Sequence, residues 1–87
     1  MKVKLKAKPK QAEKVENIGI FTDFIKLDAF LKFAMIAETG GEAKLMISDG
    51  DVTVNGETCT MRGKKLYPGD KVGFDGRVYE LTAEKEQ

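Results

Sequence analysis

Between residues 55 and 76 the chain carries three turn signals, Asn55-Gly56, Pro68-Gly69-Asp70 and Asp75-Gly76. Asn-Gly and Asp-Gly tolerate the positive φ of a tight hairpin, and proline ends a ladder by giving up its N–H. The pieces between them are short and rich in β-branched and aromatic residues: Val52 and Val54 on one face of a strand, Thr58 to Met61 as the strand returning from Asn55-Gly56, then "KVGF" and "RVYEL" as a terminal hairpin. The second half of the chain is therefore a set of short strands, and the first half has to supply whatever covers them.

It supplies two helices. Leu27, Phe30, Leu31 and Ala34 fall at i, i+3, i+4 and i+7, one face of an amphipathic helix predicted to end near Ala37. In the next segment, "TGGEAKLMISDG", Thr39 and Glu42 have the spacing of a capping box, Ala43, Met46 and Ile47 form the apolar stripe, and Gly50 is the stop. Phe30, Phe33 and Met35 are expected in the core or at the helix interface. Ahead of both helices, Ile18, Ile20, Phe21, Phe24 and Ile25 make a β-rich run that predicts a strand leading into the first helix. The order strand, helix, helix and several strands predicts an α+β fold, two short helices packed on a small, mostly antiparallel sheet.

With 87 residues the chain has room for one small core and a shallow surface rather than a deep catalytic cleft. Histidine is absent and Cys59 is the single cysteine, so the commonest general base is missing and the thiol has no imidazole beside it. An enzyme is not expected, nor is a metal or other cofactor; Cys59 reads as a small half-buried strand residue. A lone cysteine suits a reducing compartment, and the longest uncharged apolar stretch, Phe33 to Ala37, is far too short to cross a bilayer. A cytoplasmic monomer with no membrane partner is the expectation.

The formal net charge of +1 conceals an uneven distribution. Residues 1–16 hold six lysines against Glu13 and Glu16, a net +4 that marks a basic, flexible N-terminal arm. Residues 38–59 hold Lys44 against Glu38, Glu42, Asp49, Asp51 and Glu57, a net −4. Residues 60–79 return to +3, with Arg62, Lys64 and Lys65 within four positions. Such a chain can present a cationic face to a polyanion. Arg62 offers a planar fork of donors for a phosphate, Lys64 and Lys65 are mobile point charges, and Gly63 lets a backbone approach closely. The bland alternative is a solvated strand edge kept charged against aggregation.

Four motifs in order, Lys26-Leu27-Asp28, Glu42-Ala43-Lys44, Val52-Thr53-Val54-Asn55-Gly56 and Pro68-Gly69-Asp70, resemble the RNA-binding domain named after ribosomal small-subunit protein four, the S-four domain or αL motif. The likeness runs from about Phe24 to Leu81 and is greatest to the small stand-alone YaaA/YbcJ-type members. It implies an αL-motif fold in a single domain over 17–82, followed by a charged tail, 83–87. It also implies a partner, structured RNA of ribosomal or tRNA-like kind, met by docking without chemistry. The RNA-binding residues it implies, together with the basic segment, are Lys26, Lys44, Asn55, Arg62, Gly63, Lys64 and Lys65. Gly40, Leu45, Ser48 and Asp51 stand where many members carry Arg or Lys, which moves the electrostatic weight onto Lys26 and residues 62–65. Asn55 is first a turn residue, and Tyr67 either packs under the following turn, the preferred reading, or stacks on an unpaired base. A protein–protein interaction module using the acidic 38–59 block, with no RNA ligand, is the alternative function.

Overall fold

The structure is a computed structural model that describes residues 14–84. Its elements, in chain order, are β1 (Lys14–Ile20), β2 (Ile25–Lys26), α1 (Leu27–Phe33), α2 (Gly40–Ser48), β3 (Val52–Val54), β4 (Glu57–Thr58), β5 (Lys65–Leu66), β6 (Lys71–Phe74) and β7 (Arg77–Ala83). Five strands form one sheet in the order β1-β7-β6-β3-β4, and β2 and β5 form a separate two-stranded ribbon. The α+β architecture with helices on a mostly antiparallel sheet is as the sequence predicts.

The three turn signals act as expected. Asn55 and Gly56 both take positive φ, 52° and 89°, as do Asp75 and Gly76 at 53° and 79°, so each pair makes a two-residue hairpin whose twist suits its flanking strands. At Pro68-Gly69 the Asp70 N–H donates to the Tyr67 carbonyl at 2.9 Å, closing a four-residue turn with Gly69 at φ 101°.

One core serves both layers. Val52, Val54, Val72, Tyr79 and Leu81 point from the sheet into it, and Leu27, Phe30 and Leu31 of α1 with Ala43, Met46 and Ile47 of α2 cover them. Leu66 of the ribbon is fully buried in the same cluster, which ties the ribbon to the domain. Burying a side chain of this size is worth about 1.5–3 kcal/mol, so the apolar periods of both helices suffice to dock them.

The helix ends follow local chemistry. Thr39 Oγ1 accepts from the Glu42 N–H at 3.1 Å, and the Glu42 carboxylate accepts in return from the Glu38 N–H at 2.8 Å, one residue earlier than the predicted box would place it. At the far end of α2 the Asp51 N–H donates to the Met46 carbonyl and that of Gly50 to Ile47, with Gly50 at φ 80°, a Schellman cap.

Five expectations need correction. The first helix ends at Phe33, short of Ala37, because a second Schellman cap intervenes: the Ile36 N–H donates to Leu31 and that of Met35 to Lys32. Met35 occupies the left-handed position, φ 63°, at a cost of about 1 kcal/mol that a glycine there would not incur. Consequently Phe33 and Met35 are not core residues; they are 53% and 85% exposed, and only Phe30 of the three is buried. The strand after the Asn55-Gly56 hairpin is Glu57–Thr58, and Cys59 lies beyond it in the following loop, half-buried. The apolar run 18–25 is not one strand; it splits at residues 21–24 into β1 and β2. Finally, β1 starts at Lys14, inside the predicted arm, and pairs in parallel with β7 from Lys14↔Arg77 to Ile20↔Ala83, a contact between chain segments too distant for periodicity to reveal. The rest of the arm, residues 1–13, and residues 85–87 of the tail lie outside the described residues.

Candidate nucleic-acid interface

The ribbon organises the cations. Its antiparallel register pairs Ile25 with Leu66 and Lys26 with Lys65. Side chains on a strand alternate, so Leu66 turns into the core while Lys26 and Lys65 share the outward face on one rung. Directly opposed residues stand roughly 5 Å apart at Cβ, and like charges so placed repel.

The remainder of the basic segment is held through its backbone. The Leu27 N–H donates to the Lys64 carbonyl at 2.9 Å and the Asp28 N–H to the Arg62 carbonyl at 3.1 Å, so the first two donors of α1, which have no partner within the helix, are satisfied by this loop. The Lys64 N–H donates to the Met61 carbonyl at 3.1 Å, closing a turn around Arg62 and Gly63. Carbonyls and N–H groups of the segment are thus used internally while the Arg62, Lys64 and Lys65 side chains are exposed. Gly63 does not take a positive φ, and a Cβ built on it would meet nothing within 4 Å, so neither the backbone nor the packing of the domain requires a glycine there.

Of the seven sequence-predicted residues, Lys26, Arg62, Gly63, Lys64 and Lys65 are brought together at this corner. Asn55 adjoins it: Asn55 and Lys64 line one open hollow of about 450 Å³ with Glu57, Cys59 and Met61. The Asn55 amide, however, is engaged within the protein, its Nδ2 donating to Asp70 at 3.2 Å and its Oδ1 accepting from the Lys71 N–H at 3.0 Å. Lys44 is exposed on α2, which packs against α1, and takes part in neither the ribbon nor the hollow.

Two aromatic residues complete the outward face. Continuing the ribbon register by one residue sets Phe24 opposite Tyr67, and their ring centroids lie 6.0 Å apart with planes inclined at 44°. Lys65 Nζ sits 4.8 Å from the Phe24 centroid, within cation–π range. Tyr67 is 49% exposed rather than packed under its turn. Phe24 is missing from the sequence-predicted set because an apolar run with Ile25 reads as core; only the alternation across a two-residue ribbon, Phe24 and Lys26 outward with Ile25 between them, separates it from its neighbours.

Among the described residues no group of three or more His, Cys, Asp or Glu could hold a metal ion, and no helix is long and apolar enough to cross a membrane. What this corner offers is a set of exposed donors and positive charges on a backbone fixed by α1.

Fold and site together define a small α+β domain with a cationic corner. The chain belongs to the S4 domain family, whose sequence profile matches residues 18–82. Over 59 residues, 68% of this chain, it is 46% identical to a Bacillus subtilis protein named "Probable ribosome maturation protein RlbA", 83% of which is covered. It is 32% identical, again over 59 residues and 68% of the chain, to the Escherichia coli "Putative RNA-binding protein YbcJ", 84% of which is covered.

Proposed function

We propose that this protein is a non-catalytic RNA-binding protein that docks on structured RNA, either ribosomal RNA or a particle related to ribosome maturation, through phosphate and shape contacts. The observation that carries this reading is the Lys26–Lys65 rung with the Arg62–Lys64 turn beside it. The fold accepts the repulsion of two lysines on one rung, and a phosphate between them would turn that repulsion into attraction. The names of the two relatives, one for ribosome maturation and one for RNA binding, point the same way.

The chemistry of the target fits a shallow surface. A-form RNA hides the base edges of its major groove and offers phosphates and 2′-hydroxyls across a wide minor groove, which exposed cations can meet without a cleft. Lys44 and the lysines of residues 1–16 would add attraction from outside the corner, and Asn55 would serve by fixing the hairpin beside Lys64.

The test is binding to ribosomal subunits and to a structured rRNA fragment over a salt series, for the wild type and an Arg62→Ala, Lys64→Ala, Lys65→Ala triple variant. Three lost phosphate contacts should lower the slope of log K against log salt by about 2–3. A variant that folds and binds RNA with unchanged affinity and slope would refute this use of the corner. Absence of RNA binding by the wild type at low salt would turn the search to protein partners.

A further inference from the structure

The outward face of the β2–β5 ribbon carries two different rungs, Lys26 opposite Lys65 and Phe24 opposite Tyr67. Same-face positions along a strand are two residues apart, about 7 Å. A nucleotide is likewise an anion and an aromatic plate joined by a short sugar. We infer that the Phe24–Tyr67 pair is a stacking platform for one unpaired base of the bound RNA, whose adjoining phosphate rests on the Lys26–Lys65 rung. This rests on the RNA reading above and adds what that reading lacks, a preference for RNA with a bulged or looped-out nucleotide over a continuous duplex.

The geometry assigns separate tasks to the two rings. Phe24 is half-buried and already covered by Lys65 Nζ at 4.8 Å, so it is the backing residue. Its tilted contact with Tyr67, 44° between planes, sets the orientation of the tyrosine ring, which keeps 49% of its surface exposed. The Tyr67 backbone is pinned independently, its N–H donating to Asp70 Oδ2 at 2.8 Å, so the ring does not depend on the ligand for its position. A pre-set aromatic face next to cations is what a base in a duplex cannot use and an extruded base can, since stacking on a side chain requires leaving the helix stack.

The experiment compares a blunt RNA duplex with the same duplex carrying one unpaired 2-aminopurine nucleotide, for the wild type, Tyr67→Leu, Tyr67→Phe and Phe24→Leu, with folding of each variant checked by circular dichroism. The wild type should bind the bulged RNA about tenfold more tightly than the blunt one and quench the 2-aminopurine fluorescence. Tyr67→Leu should abolish both the preference and the quenching, with a loss of affinity for the bulged RNA several times larger than that for the blunt duplex. Tyr67→Phe should keep both, and Phe24→Leu should reduce them. Equal wild-type affinity for the two RNAs, or an equal loss on both in Tyr67→Leu, would overturn the platform while the RNA reading stands. Binding to neither RNA would overturn the RNA reading and the platform with it.

Discussion

The Asn55-Gly56 hairpin and the Arg62–Lys65 segment are neighbours lining one hollow, yet they spend their polar groups in opposite ways. At the hairpin the Asn55 side chain, though exposed, is bonded within the protein. The Asn55 amide bonds to Asp70 and the Lys71 N–H, and the Asp70 carboxylate also accepts from the Tyr67 N–H. At the basic segment the backbone turns inward, to Leu27, Asp28 and Met61, and the charged side chains are left to solvent. Two motifs that a sequence comparison would rank alike therefore separate physically, one with its side chain tied into the fold and the other with its charged side chains exposed.

That separation can be broken most forcefully at Asp70. Asp70→Ala removes the acceptor shared by Tyr67 and Asn55, and a charged acceptor of this kind contributes about 1.5–3 kcal/mol. We expect urea unfolding to show a loss of about 2 kcal/mol, with the slope of RNA binding against salt unchanged for the molecules that remain folded. A smaller effect of opposite sign is expected at the ribbon. Lys26→Glu converts a like-charged rung into a complementary one and should stabilise the domain by about 0.5 kcal/mol while weakening RNA binding, measured by urea unfolding and filter binding. A gain in both quantities would remove Lys26 from the interface. The smallest effect on folding, and the sharpest division of the two roles, belongs to Gly63→Ala. With open space at its Cβ and no positive φ, stability should stay within about 0.5 kcal/mol of wild type. RNA affinity should fall if the phosphate backbone comes close at Gly63, and unchanged affinity would place the RNA farther from this turn.

Most of the architecture could be read from local signals because local chemistry made it. The Thr39 cap, the stop at Gly50 and the hairpins at Asn55-Gly56 and Asp75-Gly76 each depend on a few adjacent residues, and each stands where the pattern sets it. The cationic segment was legible as a charge cluster for the same reason. The misses share a different cause. Nothing near Met35 announces that a methionine will take the left-handed position of a helix cap, so the end of α1 and the exposure of Phe33 were hidden. The pairing of β1 with β7 and the meeting of Lys26 with Lys65 join segments dozens of positions apart, and no period within either segment encodes its partner. Phe24 was obscured twice, by an apolar context and by a ribbon too short to show alternation.

The parallel pairing of β1 with β7 also bears on how the molecule comes to exist. Among the described residues Lys14–Ile20 pairs only with Arg77–Ala83, so this edge of the sheet cannot form until nearly the whole domain has been synthesised. The helices and the β3–β6 strands rely on shorter loops and can assemble first, whereas the last step closes the longest loop in the described fold. A nascent chain halted before residue 77 would hold β1 with its hydrogen-bonding edge open, the state most prone to pair with the wrong strand. For this domain, the sheet is completed only when its last strand has emerged.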